Sequence, residues 1–471
     1  MKYSAAAALA ATFSLASAAG SIPTCGENNL CPSDTPCCSQ YGQCGVGAYC
    51  LGGCNPRHSF DLQSCVAAPV CQSADYKLDN LDDVMPNTLY LGDASKSNWV
   101  SSGTPVVYNN EAILLTMAPS TVGTLLMSTH YVWYGQISAT MTTSQGAGVV
   151  TAFILMSDVQ DEIDFEFVGV DLESAQSNFY FQGITDLVRG ILTVERIDQN
   201  GDNLTVSNTV ENTHTYTIDW QPDSLSWSID GNVMRTLNRN DTYNSTTQQY
   251  HYPQSPSRVQ LSLWPAGLSS NGEGTIQWSG GLVDWNSPYM QNGYYYAMVS
   301  DVTVKCYDPP DGWNNNKGSK AYYYDSSYGT NDTIVIGNNS TELASFYATG
   351  DNPKVDPNAS SSAKASGTKT SSAATQSASQ APETVPGVSG GGAAGISGTD
   401  SQGTAQGGSA NSGSSDSGTN SAAGAQPSSQ AGGSTSFSQG GGSSGTSQAP
   451  PKLGAGSAVA LLGFFVACLL I

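Results

Sequence analysis

Residues 161–169 read D-E-I-D-F-E-F-V-G, an alternation of acidic and apolar side chains. A period of two belongs to an extended strand, whose successive side chains point to opposite faces. Glu162, Asp164 and Glu166 then share one face, and Ile163, Phe165 and Phe167 the other. A slip of one residue would drive three carboxylates into a core, so the apolar face pins the register. Three acids in a row repel one another, a poor choice for a strand that is merely solvated. Two carboxylates facing one cleft are the usual means of cleaving a glycosidic bond. A calcium site is the competing use, but calcium commonly takes its carboxylates from loops.

Other runs with strand character lie at 148–156, 191–196, 214–220, 224–229 and 258–264, and Asp230-Gly231 marks a hairpin turn after the fourth. No long amphipathic helix is evident. Residues 74–308 are therefore expected to form an all-β sandwich, of which the jelly roll is one form.

The ends of the 471-residue chain read as processing signals. Residues 1–19 carry Lys2, an Ala/Leu/Phe stretch and Ala16-Ser17-Ala18, the order of a secretory signal peptide. Residues 457–471 are uncharged and mostly apolar, behind a polar spacer and small residues around 440–445. That order is a glycosylphosphatidylinositol (GPI) anchor signal, with 450–471 removed. A single C-terminal membrane helix is the alternative. Residues 359–449 are rich in Ser, Gly, Ala and Thr, with Phe437 the one aromatic, and are expected to form a disordered stalk. Residues 309–358 remain as a C-terminal extension.

Nine cysteines lie between Cys25 and Cys71, one is Cys306, and Cys468 sits in the expected discarded tail. The remaining ten suit disulfides in an oxidising compartment better than zinc, given four histidines in the whole chain. Seven sequons, at Asn203, Asn240, Asn244, Asn331, Asn338, Asn339 and Asn358, suit a secreted glycoprotein. A net charge of −22 argues against a nucleic-acid partner and suits neutral polysaccharides. The expectation is a monomer with no cofactor and no metal.

Within 24–56 the spacing is Cys25-x5-Cys31-x5-Cys37-Cys38-x5-Cys44-x5-Cys50-x3-Cys54, around C-C-S-Q-Y-G-Q-C-G. This closely resembles the hevein-like chitin-binding module. The resemblance implies the pairs Cys25–Cys38, Cys31–Cys44 and Cys37–Cys50, and sugar contacts from Ser39, Tyr41 and Tyr49. Gln43 stands where an aromatic residue is usual, so one stacking contact is missing and weak binding is expected. Cys54–Cys65 could complete the module. Cys71 and Cys306 could tie the start of the large domain to its end. A disulfide knot that only stabilises or spaces is the other reading of this segment.

E-I-D-F-E at 162–166 matches E-x-D-x-E, the signature of glycoside hydrolase family 16, whose concanavalin-like jelly rolls carry a sugar cleft across a concave sheet. The resemblance makes Glu162 the nucleophile, Glu166 the general acid/base and Asp164 their assistant. Four residues of strand separate the two Cα atoms by about 13 Å. Retention needs carboxyls about 5–5.5 Å apart, so the side chains must lean together over a curved strand.

Periodicity in 258–264 puts Gln260 and Trp264 on a cleft-facing side, with Val259, Leu261 and Leu263 in the core. Thr275 is expected to add a hydrogen bond to substrate. Tyr131, Trp133 and Tyr134 are further stacking candidates, each as readily packed at a sheet edge. His214, Trp220, Trp227 and Trp278 are read as structural.

Signal, module, E-x-D-x-E domain and stalk together resemble the fungal Crh-type cell-wall transglycosylases. That implies a retaining enzyme, bound to the plasma membrane by its lipid or held in the cell wall. It would cut a chitin donor and pass it to a β-glucan (β-1,6/β-1,3) acceptor. The alternatives are an endo-hydrolase of β-glucan or chitin, and a catalytically idle chitin-binding adhesin.

Overall fold

The acidic–apolar segment is a strand near the middle of an eight-stranded sheet. In chain order the strands of that sheet are β1 (Val84–Pro86), β2 (Trp99–Ser102), β3 (Thr124–Val132), β4 (Val149–Ser157), β5 (Glu162–Val168), β6 (Ser174–Tyr180), β7 (Asp202–Thr205) and β8 (Ser257–Pro265). Their order across the sheet is β7-β6-β5-β4-β8-β3-β2-β1. The computed structural model describes residues 22–184 and 200–357, and the backbone of 187–189 and 196–198. Both expected processing signals, the stalk, Asn358 and residues 191–195 of one expected strand lie outside the described residues.

A second eight-stranded sheet packs on the apolar face of the first. It contains His214–Trp220 and Ser224–Ile229, followed by the hairpin in which Asp230 (φ 51°) and Gly231 (φ 79°) both adopt the left-handed conformation. Ile163, Phe165 and Phe167 are buried between the sheets, with Phe153 stacked 6.3 Å from Phe165 and Tyr216 edge-on 4.7 Å from Phe167. Trp220 and Trp227 are core, as expected. The architecture is thus an all-β jelly roll preceded by a small disulfide-rich module.

The disulfides are Cys25–Cys38, Cys31–Cys44, Cys37–Cys50, Cys54–Cys65 and Cys71–Cys306. The last ties the entry of the jelly roll to the end of its strand Tyr295–Cys306. Among the described residues there is one α-helix, Glu273–Trp278, and no helix long and apolar enough to cross a membrane.

Two additions cover the sandwich. The C-terminal extension supplies strands Ala321–Tyr324 and Ile334–Gly337, which pair with each other and, through the first, with Ala68–Pro69. It also grips the module, where the amide of Gly47 donates to Ala348 O (2.9 Å) and that of Gly350 to Ser64 O (2.9 Å). These additions correct three stacking assignments. Trp133 lies under the extension, edge-on to Trp313 at 5.2 Å, with Tyr134 stacked behind it, and both are buried. Tyr131 is sealed beneath the module and donates its hydroxyl hydrogen to Asp158 (2.7 Å). None of the three is open to a sugar.

Candidate active site

Register across the polar face of the first sheet builds the site in rows. Glu162 lies opposite Met156 and, beyond it, Arg258. Asp164 lies opposite Ile154 and Gln260, and Glu166 opposite Ala152 and Ser262. On the other side the partners are Tyr180, Asn178 and Gln176. The three acids therefore sit one above another on β5, flanked on β6 by Tyr180 and two amides and on β4 by Met156, Ile154 and Ala152. Gln260 joins the Asp164 row on the acids' face.

The strand is held from behind. The Trp227 indole N–H reaches across the sandwich and donates to the carbonyl of Asp164 (2.9 Å). Asp161 fixes the entry to β5, where its carboxylate accepts from the amides of Gln182 (2.8 Å) and Gln254 (2.8 Å) and from the Ser255 hydroxyl (2.6 Å). Sequence reasoning passed over this anchor, although the signal was present. Asp161 is in phase with Ile163 and Phe165, an acid on the buried face, which must find partners there.

Glu162 is half-buried and Glu166 and Asp164 are buried. Burial pushes both glutamates well above the usual carboxylate range, and the charge of Glu162 adds to the rise at Glu166. Of the two, Glu166 is thus the better proton holder and Glu162 the easier to ionise. The pair offers one carboxylate and one carboxylic acid on the same face, the division of labour that glycosidic cleavage needs.

Two expected contacts take other positions. Trp264 does share the acid face, but it is 1 % exposed and covered by Trp278, 6.2 Å away. Trp278, read from sequence as core, is half-exposed and donates its indole N–H to Gln176 Oε1 (2.9 Å), beside the Glu166 row. The aromatic side chain at this end of the cleft is therefore Trp278. Thr275 is on the covered side of the same short helix, 2 % exposed and turned away from solvent. The G-T-I-Q-W segment forms this helical turn, which carries Thr275 to its covered side. Tyr180 and Asn178, joined by a 2.8 Å hydrogen bond, are the neighbours of Glu162 and Asp164 that sequence reasoning did not single out. His214 is structural, held between Asp230 (2.7 Å) and Ser207 (3.0 Å).

Of the module residues, Ser39 and Tyr49 are each 3 % exposed and Tyr41 is half-buried. Tyr49 packs with Val100, Leu125 and Met127 of β2 and β3.

A jelly roll with an ionisable acid pair across one open sheet face defines an enzyme acting on glycosidic bonds. Comparison with known proteins agrees. The sequence model of glycosyl hydrolases family 16 matches residues 93–280. Crh-like protein 3 of Botryotinia fuckeliana (strain B05.10) is 54% identical over 72% of this chain and 73% of its own length. Crh-like protein UTR2 of Candida albicans (strain SC5314 / ATCC MYA-2876) is 45% identical over 74% of each. The solved structure of the apo Crh5 transglycosylase aligns with a TM-score of 0.46 and 27% identity, covering 60% of this chain and 100% of that one. The chain belongs to the Crh-like proteins of glycosyl hydrolases family 16.

Proposed function

We propose that the protein is a retaining transglycosylase that cuts a chitin donor and transfers the released chain to a β-1,6- or β-1,3-glucan acceptor, cross-linking a fungal cell wall. The observation that carries this reading is the single polar face bearing Glu162, Asp164 and Glu166, with Glu166 the better proton holder. The Glu162 carboxylate attacks the anomeric carbon as the Glu166 carboxyl gives its proton to the departing sugar oxygen. The glycosyl–Glu162 ester is then displaced by an acceptor hydroxyl, whose proton returns to Glu166, and the Glu162 carboxylate is regenerated. Asp164, between them on the same face, orients the pair. Water and sugar acceptors resolve the same ester. Transfer wins when a bound acceptor outweighs bulk water by effective concentration.

Gln260 borders the substrate in this reading, and Trp278 walls the Glu166 end of the cleft. The enzyme acts outside the cell after secretion, displayed on the stalk and anchored through a GPI lipid or held in the wall, as a monomer with no cofactor. The relatives' names, Crh-like and, for a Saccharomyces cerevisiae protein 46% identical, Congo red hypersensitive protein 2, support a cell-wall role.

The test uses the secreted, glycosylated protein with a chito-oligosaccharide donor and a fluorescent β-glucan oligosaccharide acceptor. Labelled products carrying added N-acetylglucosamine, absent with Glu162→Gln, are expected. Shortened chitin without labelled adducts would make the enzyme a hydrolase. No change in any donor would make it a binding protein.

A further inference from the structure

The row that carries Glu166 continues past the acid strand to the end of the sheet. Glu166 lies opposite Gln176 on β6, and Gln176 lies opposite Asn203 on β7. Among the described residues β7 ends the sheet on that side. Residues directly opposite one another in an antiparallel pair put their side chains on one face. The burial of the strand agrees. Leu204 packs in the core between the sheets, while Asp202, Asn203 and Thr205 are exposed. Asn203 therefore stands on the acids' face, two strands from Glu166. At a strand spacing of ~4.8 Å that is roughly 10 Å. Between them, Gln176 Oε1 accepts the indole N–H of Trp278 (2.9 Å).

The base of this position is held firmly. β7 pairs with β6 from Asp202 to Thr205. Just before β7, the Arg235 guanidinium donates to the carbonyls of Asn200 (2.7 Å) and Ser177 (2.9 Å), and it lies 4.5 Å over the Trp227 ring. Asn203-Leu204-Thr205 is also a sequon. An exposed asparagine on an end strand accepts a bulky hydrophilic group without displacing any packed side chain. A glycan there also blocks the strand edge, which would otherwise invite pairing with another chain. The other described sequons stand elsewhere. Asn240 and Asn244 follow the second sheet, and Asn331, Asn338 and Asn339 belong to the C-terminal extension. These lie off the strands of the catalytic sheet. Two of them use their side-chain oxygens locally: Asn244 Oδ1 accepts from the amides of Thr246 (2.9 Å) and Thr247 (3.2 Å), and Asn338 Oδ1 from that of Ser319 (3.2 Å).

We propose that Asn203 carries an N-linked glycan that extends the wall begun by Trp278 and closes the Glu166 end of the cleft, so that a bound polysaccharide does not run on past β7. The glycan is added during secretion. The Asn203 Nδ2 displaces the lipid pyrophosphate of a lipid-linked oligosaccharide from C1 of its first N-acetylglucosamine. One C–O bond breaks and one C–N bond forms. The pyrophosphate leaves with the electron pair, and the amide gives up one proton. The first sugar is then fixed by the sheet, and the outer sugars stand before the end of the cleft. The closure rests on the proposed activity. The modification rests on secretion and on the exposure of the sequon.

The experiment uses the full chain secreted from a glycosylating eukaryotic host. Glycopeptide mass spectrometry is expected to find a glycan on Asn203, and an unmodified Asn203 overturns the proposal. Next, kcat/KM is measured for chito-oligosaccharide donors and β-glucan oligosaccharide acceptors of increasing length. Wild type is compared with Thr205→Ala, which removes the sequon and leaves the asparagine in place, and with Asn203→Gln, which removes it by the other residue.

Both variants are expected to gain about tenfold on the longest substrates, equivalent to ~1.4 kcal/mol, and nothing on the shortest. A change that is equal at every length, or none, shows a glycan that covers the strand edge only, and overturns the closure. A change in Asn203→Gln without its counterpart in Thr205→Ala assigns the effect to the asparagine side chain and overturns the closure as well. If wild type turns over no oligosaccharide, the proposed activity and the closure fall together, while the glycopeptide still decides the modification.

Discussion

The two halves of one sheet face teach different lessons. On β5 and β6 the outward side chains beside the acids are Tyr180, Asn178 and Gln176, while β4 and β8 add Met156, Ile154, Ala152, Arg258, Gln260 and Ser262, so this half is mixed and carries the acids. On β3 and β2 the same rows turn apolar, with Leu125, Met127 and Val100, and the face is covered by the module. The register between β8 and β3 is interrupted by a bulge between Arg258 and Gln260, so the passage from site to interface coincides with a break in the backbone as well as with a change of side chains. Burying the apolar half contributes about 25 cal/mol for each Å² removed from water, and holds the module without a flexible linker.

The sharpest way to break the comparison is in the open half. Glu162→Gln removes the nucleophile with little change in shape, and turnover should fall on the order of 10⁴-fold or more while the fold persists. Steady-state rates beside an unchanged melting temperature check this. Glu166→Gln should lose on the order of 10²–10⁴-fold with ordinary donors. The wild-type pH profile should rise as Glu162 ionises and fall as Glu166 loses its raised proton, since burial lifts both groups. In Glu166→Gln the alkaline fall should vanish. A fall that persists unchanged would assign that limb to another group.

The covered half should answer in stability instead. Gly47 holds φ +62°, and a Cβ there would meet the carbonyl oxygen of Phe346 at 2.2 Å. Gly47→Ala should therefore destabilise the protein by about 2 kcal/mol or more, through strain and a forced gap between module and extension. Denaturant midpoints measure this, and a change of a few tenths of a kcal/mol would show that the extension does not clamp the module.

This division also explains what was legible beforehand. Alternation in 161–167 disclosed β5, its core face and its three acids, because a strand buried on one side writes its period directly into sequence. Gln260 followed by the same logic. Tyr131, Trp133, Tyr134 and Trp264 did not, because what covers them comes from segments distant in sequence. The module covers the first, the extension the next two, and a single helical turn the last. Periodicity reports which face a residue is on, and it is silent on what later lies over that face. Asp161 was legible in principle, as an acid in phase with apolar neighbours. The inward turn of Tyr49 was not, since the cysteine spacing dictates the knot and leaves its docking open.

Two buried aspartates sharpen the comparison at the smallest scale. Asp158 serves the covered half and Asp161 the open half, and burial pushes each from 3.8 up to about 6. The folded protein therefore binds more protons than the unfolded chain between about pH 4 and 6. Stability is highest below that window and falls as pH rises through it. Melting temperature should thus be higher at pH 4.5 than at pH 7. The two residues differ in how they tolerate an amide. Asp158 uses only Oδ1, accepting from Gly53 and Tyr131, so Asp158→Asn keeps its bonds and should flatten the pH dependence at little cost. Asp161 uses both oxygens, so Asp161→Asn strands a buried donor, at a cost on the order of 1–3 kcal/mol, and shifts the entry to β5. Activity should accordingly fall in Asp161→Asn and hold in Asp158→Asn. Equal losses in both would mean that the module's seam and the acids of β5 form one cooperative unit, and the boundary between β8 and β3 would not separate two functions.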